Sequence, residues 1–130
     1  MTPIARIVFA AALGAVAFTA APTVFAQTVS ASGQFTGKNR HVTTGGVTIQ
    51  RGADGTNYVV LGNNFSLDGA PDPHVLLARP DNGAIDLGLL RSNDGGQTYQ
   101  VPAGVDVSAF NRVIIWCERF SVSLGSANLS

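Results

Sequence analysis

Past Ala26 the apolar residues come in short runs, and each run is closed by Gly, Pro, Asn or Asp. That punctuation suits short strands joined by tight turns. No window keeps an apolar stripe at three-and-four spacing for a helix's usual length without a Gly or Pro breaking it. Strands are expected over residues 47–50, 58–61, 65–67, 74–78, 85–90 and 97–101, with Phe35 in a further segment between Gly33 and Gly37. The most apolar run starts at Val113 and is read as continuing through Cys117 to Phe120, Val122 and Leu124. Turns are expected at residues 53–57, 80–83 and 93–96, two of them holding the Asp-Gly pair that favours hairpins. The expected fold is therefore all-β, a small antiparallel β-sandwich or barrel-like domain.

The first 26 residues read as an address. Arg6 supplies a positive charge, residues 7–21 are uncharged and apolar, and Val24 and Ala26 are small residues two apart, followed by Gln27. These are the parts of a secretory signal peptide, with cleavage expected after Ala26. The apolar stretch is shorter than the ~20 residues of a spanning helix, so no membrane span is expected after cleavage. The protein is expected to be secreted or periplasmic. Residues 27–32, small and polar, are expected to form a flexible N-terminus before a β domain over residues 33–130.

Composition narrows the function classes. Basic and acidic residues balance at 8 each, so no nucleic acid is expected as a partner. One Cys excludes an internal disulfide and a Cys-based zinc finger. There is no Gly-x-Ser-x-Gly, no His-Glu-x-x-His and no phosphate-cradling Gly-rich loop with Lys. Glu118 is the single Glu and has no carboxylate partner at a spacing that suits glycoside chemistry. A classical enzyme is not the favoured reading. The Asp and Asn residues between 63 and 82 do not fit a calcium loop and are read as turn residues.

The C-terminal run Val113-Ile114-Ile115-Trp116-Cys117-Glu118-Arg119-Phe120-Ser121-Val122, with Gly125 and Ala127-Asn128-Leu129 after it, resembles the end of the DM-thirteen domain family. Earlier pieces agree in order: Gly33-x-Phe35, His41 before Gly45-Gly46, Asn64-Phe65, Ala70-Pro71-Asp72, and Gly96-x-x-Tyr99-x-Val101-Pro102. Ala70 stands where the family usually has Gly, which puts the freedom of that turn in question. The family consists of extracellular β-domains, alone in bacteria and beside DOMON and cytochrome-type modules in animals. The resemblance implies electron transfer, with the cysteine acting as a bare redox thiol or as ligand to a prosthetic group.

Read on its own chemistry, Cys117 is the sharpest site candidate. Strand alternation would put Arg119 on its face, where a guanidinium favours the thiolate. A thiolate can be oxidised, pair with a second thiol, or bind a soft metal or haem iron. The competing reading is a small hydrophobe buried in the core. His41 is the candidate partner, as a metal ligand or a base that holds the thiolate, against a loop histidine bonded to a turn. His74 is a weaker candidate, read as capping a strand rim. Copper would need His41, His74 and Cys117 together, without an axial Met once Met1 has left. Haem has no Cys-x-x-Cys-His and is left only as a noncovalent option. Trp116, Phe120 and Tyr99 are candidates to surround the sulfur, with core packing the favoured reading for Trp116 and Phe120. Two functions remain: a redox module that works with a redox or envelope protein partner, and a non-enzymatic envelope binding or structural module.

Overall fold

The computed structural model describes residues 27–130, so the expected signal peptide lies outside the described residues. Ten strands follow one another: β1 (Gln27–Gly37), β2 (Thr43–Thr44), β3 (Gly46–Gly52), β4 (Asn57–Leu61), β5 (Ser66–Leu67), β6 (Pro73–Ala78), β7 (Ala84–Leu89), β8 (Gln97–Gln100), β9 (Arg112–Cys117) and β10 (Val122–Asn128). A 3-10 turn at Val107–Ala109 is capped by Asp106, whose Oδ1 accepts the Ser108 N–H at 3.0 Å. Most strands are short, and turn chemistry ends several of them. The Asp54-Gly55 turn between β3 and β4, for example, has Asp54 Oδ1 accepting from the Thr56 N–H (3.0 Å) and Gly55 at φ +88°.

Eight of the strands form one antiparallel sheet in the order β7-β6-β9-β10-β1-β3-β4-β8. Two free edges would remain if it stayed flat. Instead the 90–96 connection ties β7 to β8. The Arg91 N–H donates to the Tyr99 hydroxyl (3.1 Å) and the Ser92 N–H to Gln97 Oε1 (3.2 Å). The sheet curls into a nearly closed barrel, which decides between the two expected architectures. Inward positions alternate along the strands, with Val47 and Ile49 on β3, Val59 and Leu61 on β4, and Val113, Ile115 and Cys117 on β9. In β10 a bulge between Ser123 and Gly125 shifts the phase, so Leu124 and Ala127 both reach the core.

Two expectations change. Residues 27–32, expected as a lead-in before the domain, lie in a strand. They are the first half of β1, paired with β3 from Gln27↔Gly52 to Ser32↔Thr48. Their small polar side chains reflect an exposed face, while the backbone is bonded in the ladder. The run from Val113 to Leu124 is not one strand. The chain reverses at residues 118–121, with Ser121 in the left-handed region at φ +51°, and β10 returns against β9 with Val122 opposite Cys117. Apolar composition alone could not show that reversal, because no Gly or Pro marks it.

One end of the barrel, called the rim here, collects the connections 38–45, 62–72, 90–96 and 118–121. β2 and β5 pair across it, with Thr43 opposite Leu67 and Thr44 opposite Ser66. Thr43 is buried, and its hydroxyl donates to the Leu124 carbonyl at 2.8 Å. Under this pair Phe65 packs edge-on against Phe35, with ring centroids 5.4 Å apart. The rim is thus plugged by aromatic packing and fastened by the β2–β5 pairing and the buried Thr43 bond.

Candidate functional site

Cys117 is the last inward residue of β9, one position before the rim turn, with Pro73 of β6 and Val122 of β10 as its register partners. It is 1% exposed and belongs to the continuous apolar core. No hydrogen bond reaches its sulfur from the described residues. Arg119 does not share its face, because the strand has ended and Arg119 sits exposed in the turn. That removes the cation expected to favour the thiolate. Phe120 is not core either: it is 65% exposed at the tip of the same turn. Trp116 faces outward and half-buried, its Nε1 donating to Glu118 Oε1 at 3.1 Å. Tyr99 is buried on β8, under the Arg91 guanidinium (4.2 Å to the ring centroid).

His41 lies at the same rim as Cys117 but is engaged elsewhere. Its Nδ1 meets Asp68 Oδ1 at 2.9 Å, and Asp68 Oδ2 accepts the Val42 N–H at 3.0 Å. The His41 hydrogen bond first, and the Val42 N–H second, hold the Asp68 carboxyl below its ordinary value of 3.8. This loop is also anchored to β10, by the Lys38 N–H on the Leu124 carbonyl (3.1 Å) and by Asn39 Nδ2 on the Ser123 carbonyl (2.8 Å). The turn that lacks the family's Gly at Ala70 takes its positive φ one residue earlier, at Gly69 (φ +112°), so the departure leaves the turn intact.

His74 is the group that sequence reasoning underrated. Its Nε2 lies 3.1 Å from Asp72 Oδ1 and its Nδ1 lies 2.9 Å from Asp86 Oδ2. A neutral imidazole can donate from only one nitrogen, so two carboxylate acceptors demand the second proton. Burial works against the charge, but the bonds to Asp86 and Asp72 outweigh it and raise the pKa above the ordinary 6.5. Asp72 in turn accepts the Glu118 N–H on its carbonyl at 3.0 Å, which ties this clamp to the end of β9. The only early signal was the Asp-x-His spacing of residues 72–74; Asp86 is brought in by the β6–β7 hairpin. Because the folded pKa is raised, the clamp's contribution is complete below the unfolded value and fades as pH rises through the folded one. His74→Gln is therefore expected to cost about 1 kcal/mol near pH 5.5 and less at pH 8.5. Urea unfolding of both proteins at the two pH values checks the sign; a larger cost at pH 8.5 would contradict the clamp.

The described residues contain no group of three or more His, Cys, Asp or Glu able to hold a metal ion, so His41, His74 and Cys117 do not assemble the copper set. A haem or metal on the sulfur does not fit this arrangement, since the donor is enclosed by apolar core. The sequence model described as Electron transfer DM13 matches residues 34–129.

The chain belongs to this DM13 family. The matched span takes in nearly the whole barrel, from β1 to the end of β10, so the domain carries an electron-transfer type of role with its fold. No curated protein matches the chain. No solved structure matches it either. Among the described residues no helix is long and apolar enough to cross a membrane.

Proposed function

We propose that the chain is an exported electron-transfer module in which Cys117 is the redox group, acting as a bare thiol, with His41 on the loop that fastens the same rim. The observation that carries this reading is the position of the chain's one cysteine sulfur, at the rim of a barrel whose family is an electron-transfer family. With the sulfur 1% exposed, a partner reaches it only when the rim opens. The turn at residues 118–121 and the 38–42 loop are the segments whose release would uncover it. A one-electron acceptor would then take an electron from Cys117 as its proton leaves to solvent, leaving a thiyl radical that a one-electron donor and a proton return to the thiol. With a partner disulfide, the Cys117 thiolate would attack one sulfur to form a mixed disulfide while the S–S bond breaks and the other sulfur leaves as a thiolate.

The same burial favours a second reading, a non-enzymatic binding or structural module of the envelope, with Cys117 as a core hydrophobe. Cys117→Ala separates the two. The substitution is expected to cost about 1–2 kcal/mol, as small buried truncations do. In the redox reading it also abolishes the slow reduction of ferricyanide by the folded protein, measured at matched folded fraction. Equal ferricyanide reduction by wild type and variant would leave the structural module as the better account.

A further inference from the structure

Strands whose outer face meets water alternate apolar-in and polar-out. β6 and β9 break that rule. Leu76, Ile114 and Trp116 lie on the outer face as well, with Leu76 opposite Ile114 and Trp116 opposite His74. They floor a groove of about 710 Å3 on the outside of the barrel, which Lys38, Asn39, Asn82 and Arg112 also line. Among the described residues no acidic side chain lines it. Neither Lys38 nor Arg112 forms an ion pair among the described residues. Three acids stand beside the groove: Asp86, the register partner of Leu76, is paired with His74, Asp81 with Arg79, and Glu118 accepts from Trp116 Nε1. Arg112 is held in place: its Nη2 donates to the Arg79 carbonyl (2.9 Å) and to Asn82 Oδ1 (3.0 Å), leaving further N–H groups of the fork unused. Asn39 and Asn82 both hold left-handed backbone, at φ +54° and +73°, a conformation that costs energy and is often retained at binding sites.

We propose that this groove binds a small amphiphilic carboxylate, its apolar body on Trp116, Ile114 and Leu76 and its carboxylate on Arg112 and Lys38. Two unpaired cations in an acid-free lining select an anion. The aliphatic and indole floor selects one with an apolar body over an inorganic ion. The proposal does not rest on the redox reading. The groove and the sulfur lie on opposite faces of β9, so either can fail without the other.

Trp116 is the chain's one tryptophan, so its fluorescence reports on the groove directly. The folded protein is titrated with octanoate, with the neutral octanamide, and with acetate. Octanoate is expected to give a saturable change, octanamide to bind about tenfold more weakly, and acetate to give none. Arg112→Gln should weaken octanoate about tenfold and leave octanamide unchanged. Lys38→Gln, at a side chain that makes no hydrogen bond among the described residues, should weaken octanoate by a smaller factor and guards against a folding defect in the first variant. The absence of a saturable change, an amide that binds as well as the acid, or wild-type octanoate binding by both variants would overturn the proposal.

Discussion

Replacing Gly45 by Ala is expected to remove about 3–5 kcal/mol of stability, a large share of what a domain of this size has to lose. Two costs combine. Gly45 sits at φ +103°, where an L side chain is strained by about 1–3 kcal/mol. A Cβ there would also stand 2.5 Å from the Phe65 Cα and 2.6 Å from the Asn64 carbonyl oxygen, so backbone rather than a flexible side chain must yield. Overpacking of that kind adds about 1–3 kcal/mol. The neighbouring glycine is the control. A Cβ on Gly46 meets first the Gln34 side-chain amide, at 3.3 Å, and its φ is not in the left-handed region. Gly46→Ala should cost under about 1 kcal/mol, within the range of ordinary surface changes. Urea midpoints for the pair provide the check, and equal losses would contradict the account of how the rim connection meets the 62–72 segment.

Phe65→Ala should be comparably severe, at about 3–5 kcal/mol. Phe65 is 1% exposed and fills the space beneath the β2–β5 pair. Its backbone also carries the rim: its N–H donates to the Gly62 carbonyl (3.0 Å) and its carbonyl accepts the Gly95 N–H (2.9 Å). The ring meets Phe35 at 67°, an edge-to-face contact. A double-mutant cycle with Phe35→Leu and Phe65→Leu should therefore return a coupling of about 0.5–1.5 kcal/mol. A loss below about 1 kcal/mol for Phe65→Ala, or no coupling, would mean that the plug is not what closes this end.

The fold was largely legible because alternation and turn chemistry are local. The pattern of Val47 and Ile49, or of Val59 and Leu61, states which face is buried, and Asp54-Gly55 states where the chain turns. What stayed hidden was non-local. The reversal at residues 118–121 is made by Ser121 in a left-handed conformation, without the Gly or Pro that would announce it. Missing it placed Arg119 beside the sulfur and Phe120 in the core. Residues 27–32 read as a lead-in because their side chains are small and polar, whereas their backbone pairs with β3.

The candidate site was legible in identity more than in arrangement. Cys117 stands out as the sole sulfur past residue 26, and its strand position follows from alternation. Sequence could not show that Asp68 occupies His41, or that Asp86 completes a second carboxylate for His74, because each partner arrives through the tertiary fold. Nor could it show that the outward residues of β6 and β9 line up into a groove. Their apolar character was read simply as strand composition, and only the strand order brings Leu76 next to Ile114.

The claim on which the redox reading turns is that Cys117 can be reached by local opening of the rim. Its rate of reaction with a thiol reagent, followed across low urea concentrations, tests this most directly. Local opening exposes little surface, so the rate should change only slightly with urea, and Asp68→Asn, which loosens the His41 and Val42 bonds, should speed it. If the rate instead rises with the full urea dependence of global unfolding, the sulfur is a core residue and the electron-carrier account is wrong.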